Sequence, residues 1–170
     1  MSTQTQNKYT RVIAVDPGYE RMGVAVIEKN GNSKEELLFS ECFKTSAKID
    51  HAQRLCLLGQ EIKNIIEKYE PNDMAIEDLF FSNNQKTAMR VAEARGVIIY
   101  EASIKNLNIY EYKPVEIKIA VTGYGKSNKE QVISMTKRLI KIPEKAKIDD
   151  EFDAIAIGLT HTASKRFSIR

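Results

Sequence analysis

The segment from Val12 to Gly18 places a single carboxylate at the end of a short apolar run. Four consecutive apolar residues lead into Asp16, and a Pro-Gly turn signal follows it. An apolar run closed in this way is typical of a strand buried on both faces, so we expect a central strand here. Because an unpaired buried carboxylate is costly, Asp16 either caps the turn or belongs to a site whose other members lie elsewhere in the chain.

Length and composition predict a single globular domain. The chain has 170 residues, of which 42% are hydrophobic and 29% are charged, as is ordinary for such a domain. We expect residues 1–9 to be a disordered lead-in and residues 10–170 to form the domain. The sequence shows neither a signal-peptide core nor an apolar run near the roughly 20 residues of a membrane span. Cys42 and Cys56 lack metal-type spacing, which predicts reduced packing residues and a cytoplasmic location.

Hydrophobic periodicity predicts an α/β fold. Three strands come first and form an antiparallel meander, and units of strand and helix follow them, which together predict a mixed sheet with helices on its faces. The fourth and fifth strands are expected at 74–80 and 108–112. Asp50 and Asn128 are expected to cap helices. The long helix from about residue 87 is expected to be interrupted near Gly96.

The fourth strand carries a second carboxylate within an apolar segment. Glu77 and Asp78 are adjacent, and adjacent side chains of a strand point to opposite faces. Only one of them can therefore join Asp16. Because the strand is apolar on both sides, the pattern alone does not choose between the two.

The last predicted helix brings further acids. Asp150 and Asp153 are three residues apart, Asp149 and Asp153 are four apart, and both spacings put the pair on one face of a helix. The dipole of a helix also favours acidic residues in its first turn, so these acids could be present without a functional role. This explanation suits Asp153 least, because Asp153 lies inside the apolar stretch. Helical spacing therefore leaves two candidate pairs.

Basic residues concentrate in the second half of the chain. Between Lys113 and Lys147 there are nine basic residues and three acidic ones, a local excess of six positive charges. The segment also contains Gly and Ser turns, which suits a surface that faces phosphates. A solvated, lysine-rich face would give the same pattern.

Together the acids and their flanking segments resemble the RuvC family of Holliday-junction resolvases, within the ribonuclease H-like superfamily. The resemblance rests on five segments in order and extends over roughly residues 11–163, nearly the whole chain. These segments are 15–18 (VDPG), 75–80 (AIEDLF), 93–97 (EARGV), 121–125 (VTGYG) with 129–132 (KEQV), and 150–157 (DEFDAIAI) with 160–161 (TH). The fold that it implies is a five-stranded mixed sheet flanked by helices on both faces.

The resemblance implies roles for the residues that match the motifs of the family. It implies that the metal-binding acids are Asp16, Glu77, Asp150 and Asp153, and that Lys118 and Lys129 lie near the active centre. The implied DNA-binding residues are Phe80, Phe81, Arg95, Lys118, Lys126 and Lys129. Phe80 matches the aromatic wedge of the family, Phe81 is a neighbour that could share this role, and a buried core position is the alternative for Phe80. His161 is expected to serve in packing or capping rather than in catalysis.

The implied activity is the resolution of Holliday junctions by paired symmetric nicks, through hydrolysis that leaves 5′ phosphate and 3′ hydroxyl ends. The implied cofactor is Mg²⁺, two ions per active site, for which Mn²⁺ could substitute. The implied partners are four-way junction DNA, a second copy of the chain, and the branch-migration proteins RuvA and RuvB. The helix from Thr87 is the expected dimer face.

One loop departs from the pattern of the family. The loop after Gly18 reads YERMGVA, whereas the family usually has a small hydroxyl residue there and then a Thr-Gly-aromatic-Gly run. The resemblance therefore does not define the geometry of this loop or its contacts with the substrate. Some relatives also have His at the position of Asp150. The alternatives are another ribonuclease H-like nuclease that acts on branched DNA or hybrids, and a junction-binding protein that does not cleave. An actin-like nucleotide-binding fold is disfavoured by the length of the chain.

Overall fold

The computed structural model describes residues 9–78, 85–143 and 149–165. These residues form five strands and five helices. The strands are β1 (Tyr9–Asp16), β2 (Arg21–Asn30), β3 (Glu36–Lys44), β4 (Asp73–Glu77) and β5 (Asn108–Tyr112). The helices are α1 (His51–Tyr69), α2 (Gln85–Ile104), α3 (Pro114–Thr122), α4 (Lys129–Leu139) and α5 (Asp149–Lys165). Apart from Tyr9, the predicted lead-in lies outside the described residues.

The five strands form one mixed sheet in the order β3-β2-β1-β4-β5. The first three strands are an antiparallel meander, whereas β1 and β4, and β4 and β5, are parallel pairs. Val12 to Val15 of β1 are all 0% exposed. The predicted central strand and mixed sheet are therefore confirmed.

Helices cover both faces of the sheet. On one face, Val12 and Ala14 belong to a hydrophobic cluster with residues of α3, α4 and α5. On the other face, Ile13 and Val15 belong to a cluster with residues of α1 and α2. This division follows from the alternation of side chains along a strand. It also determines which helix can bring its residues to each face of the sheet.

Helix α5 lies very close to the central strands. A Cβ atom at Gly158 would lie 2.7 Å from Ile27 Cδ1 and 3.2 Å from Ala14 Cβ. A glycine at this position lets the helix backbone approach the sheet more closely than a side chain would permit. Within the residues that the structure describes, no helix is long and apolar enough to cross a membrane.

The C-terminal half of α5 is anchored by a buried polar network. His161 Nε2 lies 3.0 Å from Asp73 Oδ2, and Lys165 Nζ lies 2.5 Å from the same oxygen. The amide of Asn108 donates to Asp73 Oδ1 at 3.1 Å, and the Tyr112 hydroxyl lies 2.9 Å from His161 Nδ1. Asp73 and His161 are both 0% exposed. His161 thus occupies a core position, as expected from the sequence.

Helix caps form at the two predicted positions. The Asp50 carboxylate accepts a hydrogen bond from the Gln53 N–H at 2.8 Å. Asn128 and Gln131 each accept, through their side chains, a hydrogen bond from the backbone N–H of the other, at 2.9 Å in both cases. A cap of this kind stabilises a helix by about 1 kcal/mol. The second cap places Lys129 at the first position of α4.

The predicted interruption of α2 near Gly96 is wrong. The helix continues through this residue, and a Cβ atom at Gly96 would meet nothing within 4 Å. A helical glycine costs about 1 kcal/mol relative to alanine. Ala94, Ile98 and Ala102 are fully buried against the sheet, and their packing outweighs this local cost.

Candidate active site

Two acids leave neighbouring strands at the same edge of the sheet. Asp16 is the last residue of β1, and Glu77 is the last residue of the parallel strand β4. Ala14 and Ala75, two residues earlier in each strand, pack on the face that α5 covers. Since side chains two residues apart share a face, Asp16 and Glu77 both point toward α5. The structure therefore puts Glu77, rather than Asp78, on the face of Asp16.

Helix α5 brings two further acids to this edge. Asp150 and Asp153 lie in its first two turns. A carboxylate oxygen of Asp16, one of Asp150 and one of Asp153 all lie within 4.8 Å of one another. Oxygen ligands at this separation suit a hard divalent cation such as Mg²⁺. The residues present therefore fit the metal that the sequence led us to expect.

The electrostatics of this acidic cluster also favour a cation. Burial raises the pKa of Asp16 well above its usual value, and the carboxyl groups of Glu77, Asp153 and Asp150 raise it further. Burial is also the main cause of the raised pKa of Glu77 and of Asp153. Such shifts mean that the fully ionised cluster is unfavourable by itself, and a bound divalent cation relieves this repulsion.

Asp150 has two contacts that sequence reasoning missed. Arg21 Nη2 lies 2.5 Å from Asp150 Oδ2, and Cys42 Sγ lies 3.2 Å from the same oxygen. Burial and the hydrogen bond to Asp150 raise the pKa of the Cys42 thiol, so it faces the carboxylate as a neutral donor. Arg21 is the first residue of β2 and lies in the segment after Gly18 that departs from the family pattern, and nothing in its local sequence pattern points to Asp150.

A cleft with a volume of ≈ 270 Å³ opens beside the acids. Its polar lining includes Glu77, Asp153, Lys118 and Lys129, and its apolar lining comes from α3, α4 and α5. Lys129 Nζ lies 3.1 Å from Asp153 Oδ2 and 3.5 Å from Asp149 Oδ2. The two predicted lysines therefore share one cleft with two of the predicted acids.

The other predicted DNA-binding residues occupy different environments. Lys126 is exposed on the loop between α3 and α4. The side chain of Arg95 is only 14% exposed and bonds to Glu111 and to the backbone of Glu77, which leaves little of it for a contact with DNA. Phe80 and Phe81 lie outside the described residues.

These features define the class of protein. A five-stranded mixed sheet ends in an acidic cluster on its central strands, an acid-bearing helix crosses one face, and lysines line the adjacent cleft. This is the arrangement of a metal-dependent nuclease with a ribonuclease H-like fold.

The chain belongs to the RuvC family. The family model described as "Crossover junction endodeoxyribonuclease RuvC" matches residues 12–161. A relative of that name from Halothermothrix orenii is 43% identical over 157 residues, which cover 92% of this chain and 94% of the relative. A relative of the same name from Caldicellulosiruptor saccharolyticus is 41% identical over 154 residues, which cover 91% and 93% of the two chains.

Solved structures agree with this assignment. The structure of T. thermophilus RuvC in complex with Holliday junction substrate matches with a TM-score of 0.86 and 29% identity, over 92% of this chain and 95% of that one. A yeast mitochondrial Holliday junction resolvase, 14% identical, shares the fold with a TM-score of 0.66, over 89% and 78% of the two chains. The predicted family, fold class and enzyme class are thereby confirmed.

Proposed function

We propose that the protein resolves four-way DNA junctions by paired symmetric nicks and leaves 5′ phosphate and 3′ hydroxyl ends. The observation that carries the proposal is the convergence of Asp16, Asp150 and Asp153 within 4.8 Å, in a chain of the RuvC family. The T. thermophilus relative, whose structure holds Holliday junction substrate, supports the choice of a junction over other nucleic acids.

Two Mg²⁺ ions per active site are the proposed cofactor, with Mn²⁺ as a substitute. Asp16 would contact both ions, Glu77 and Asp153 would hold one each, and Asp150 would complete the ligand set. When bound, such ions supply an attacking water of lowered pKa and neutralise the charge on the leaving 3′ oxygen. The raised pKa values of Asp16, Glu77 and Asp153 support a site that is stable as a fully ionised cluster only with cations.

The lysines of the cleft would act on the scissile phosphate. Lys129 and Lys118 flank Glu77 and Asp153, and either ammonium group could stabilise the negative charge that develops on phosphorus-bound oxygens. Lys126 would contact a phosphate farther along the strand and thereby fix its register. The predicted wedge, Phe80 with Phe81, would stack on bases at the crossover.

A homodimer would carry two active sites to the two symmetric strands of a junction. Helix α2 is the proposed interface because it exposes Met89, Tyr100 and Ile104, which are 65%, 62% and 51% exposed. RuvA and RuvB are the proposed branch-migration partners. A cytoplasmic location is proposed because the expected substrate is cellular DNA.

The test uses a labelled four-way junction and the matching duplex, each incubated with Mg²⁺ or with EDTA, and an Asp16→Asn variant beside the unaltered chain. Paired symmetric nicks in the junction alone, lost with EDTA or in the variant, are the expected result. Cleavage of plain duplex or of RNA–DNA hybrids would instead indicate a related ribonuclease H-like nuclease. Tight junction binding without nicks under any metal would indicate a binding protein.

A further inference from the structure

Arg95 connects three elements at the edge of the sheet that carries the acids. It extends from α2, and its Nε donates a hydrogen bond to the Glu77 carbonyl oxygen at 3.2 Å. Its Nη2 forms an ion pair with the carboxylate of Glu111, on β5. The guanidinium group therefore joins the end of β4 to both α2 and β5.

The carbonyl that Arg95 contacts lies where regular strand structure ends. Glu77 is the last residue of β4, and the hydrogen bond from the Asp78 N–H to the Tyr112 carbonyl, at 2.9 Å, is the last backbone contact between β4 and β5 at this edge that the structure records. The residues that follow, 79–84, lie outside the described ones. Support for the backbone of Glu77 on this side therefore includes the side chain of Arg95.

The carboxylate of Glu77 needs such support because its surroundings are electrostatically unfavourable. Burial and the negative charge of Asp153 raise the pKa of Glu77. The hydrogen bond with Asp16 and the charge of Lys118 oppose this effect without cancelling it. A like-charged side chain relaxes away from its neighbours when its backbone is free to move. A displacement of about 1 Å in a catalytic group can lower a rate by about 100-fold.

We propose that Arg95 is a positioning residue, which holds the backbone of Glu77 so that its carboxylate stays directed at the metal site. The proposal rests on the proposed function, in which Glu77 is a metal ligand. It assigns Arg95 no contact with DNA. Partners that orient metal ligands typically change metal affinity or activity by about 10- to 100-fold when they are removed.

The fork of the guanidinium group explains why arginine is required. One nitrogen bonds to a backbone carbonyl and another to a carboxylate, in two fixed directions. Lysine carries a single ammonium group on a flexible chain and does not reproduce both bonds. Arg95→Lys should therefore recover only part of what Arg95→Gln loses.

Arg11, in the half of β1 that lies away from Asp16, offers a matched control. Arg11 also donates to a backbone carbonyl, that of Tyr69, and also pairs with a carboxylate, that of Glu28. Its side chain is 24% exposed, against 14% for Arg95. Arg11→Gln thus removes the same kinds of contact from a comparable environment far along the strand from the acids.

The test measures kcat at saturating junction, junction affinity in Ca²⁺, and Mn²⁺ affinity without DNA, for Arg95→Gln, Arg95→Lys and Arg11→Gln. Thermal unfolding first establishes that each variant is folded. We expect Arg95→Gln to lower kcat and weaken Mn²⁺ binding by about 10-fold or more, with junction affinity unchanged and partial recovery in Arg95→Lys. Arg11→Gln should leave all three quantities at the unaltered level.

A second arm separates a positioning role from general loosening of the fold. In a Glu77→Gln background the ligand is already impaired, so adding Arg95→Gln should weaken Mn²⁺ binding no further. Three results would overturn the proposal. They are additive losses of Mn²⁺ affinity in the double variant, losses in Arg11→Gln equal to those in Arg95→Gln, and an Arg95→Gln variant that binds the junction more weakly but keeps its kcat. Because Mn²⁺ binding is measured without DNA, this arm remains decisive even if the unaltered chain cleaves no junction, which would contradict the proposed function alone.

Discussion

Gly23 of β2 lies directly against the backbone of Asp150 of α5. A Cβ atom on Gly23 would lie 2.0 Å from the Asp150 carbonyl oxygen and 3.3 Å from the Asp150 Cβ. Gly23 is also the register partner of Asp16 in the antiparallel β1–β2 pair. The absence of a side chain at this one position therefore allows an acid of α5 to approach the acid of the central strand.

Replacing Gly23 by alanine should displace the first turn of α5 and lower both the cleavage rate and the stability of the fold. The inserted methyl group collides with backbone, which cannot rotate away as a side chain can. We expect kcat for junction cleavage to fall by about 100-fold, with a loss of about 1–3 kcal/mol in the free energy of unfolding. Gly96→Ala is the control, since its methyl group would meet open space. Cleavage by Gly23→Ala at the unaltered rate would contradict this account.

Asp16→Asn should stabilise the metal-free protein while it abolishes metal binding. The raised pKa of Asp16 means that the folded state holds the proton more tightly than the unfolded state. The free energy of unfolding therefore falls as the pH rises above the ordinary carboxyl range, and asparagine removes this loss. Thermal unfolding in EDTA near pH 7 should show a higher Tm for the variant.

Addition of Mg²⁺ completes this test. At about 100 times its Kd, a ligand that binds only the folded state stabilises it by about 2.7 kcal/mol. The unaltered protein should gain stability in this way, and Asp16→Asn should not. A variant that melts below the unaltered protein in EDTA would show that the ionised Asp16 does not destabilise the metal-free fold. A variant that Mg²⁺ still stabilises would show that Asp16 is not required for metal binding.

The buried Asp73 network should dominate the acid sensitivity of the fold. Burial acts to raise the pKa of Asp73, but hydrogen bonds from His161, Lys165 and Asn108 outweigh it and hold the pKa below the ordinary 3.8. The stability that these contacts contribute is therefore present above that pH and is lost as the pH falls through the lowered pKa. Asp73→Asn should cost about 3 kcal/mol at neutral pH, because it removes one partner of a buried ionic contact.

Urea unfolding at neutral pH and near pH 3 distinguishes this effect from a simple loss of packing. The difference between Asp73→Asn and the unaltered protein should shrink at the acidic pH, because pH 3 lies below the ordinary carboxyl pKa of 3.8 and the unfolded unaltered chain takes up a proton that the folded state resists. A difference that is the same at both pH values would mean that the charge of Asp73 contributes nothing.

Much of the acidic site could be predicted from the sequence because its members lie in strongly patterned elements. Asp16 ends a run of four apolar residues, and Asp153 lies within the apolar periodicity of the last helix. The choice of Glu77 over Asp78 needed more than pattern, since both faces of that strand are apolar. In the structure the choice follows from the strand register, which puts Ala75 and hence Glu77 on the α5 face.

The contacts around the acids were not accessible to sequence reasoning because they join residues far apart in the chain. Arg21 and Cys42 meet Asp150 only after β2, β3 and α5 have assembled. Arg95 was predicted as a DNA contact because it lies in a matching motif, and its bond to the Glu77 carbonyl depends on how α2 packs against the end of β4. Local periodicity carries no information on such cross-element contacts. The same holds for Gly96, where tertiary packing overrides a local helix-breaking signal.

Lys129→Gln should lower the rate and also move the pH dependence of cleavage. Lys129 lies 3.1 Å from Asp153 and opposes, by its hydrogen bond and its charge, the effect of burial that raises the pKa of this acid. Without the lysine the pKa of Asp153 should rise further, and the carboxylate would be ionised only at higher pH. At limiting Mg²⁺, where protons and the metal compete for Asp153, we expect the acidic limb of the profile of cleavage rate against pH to shift toward higher pH, on top of a loss of about 100-fold in the rate at its maximum. Arg138→Gln, in the last turn of the same helix, is the control and should leave the profile in place. A Lys129→Gln profile that falls in height without shifting would limit the role of Lys129 to the phosphate and exclude an effect on Asp153.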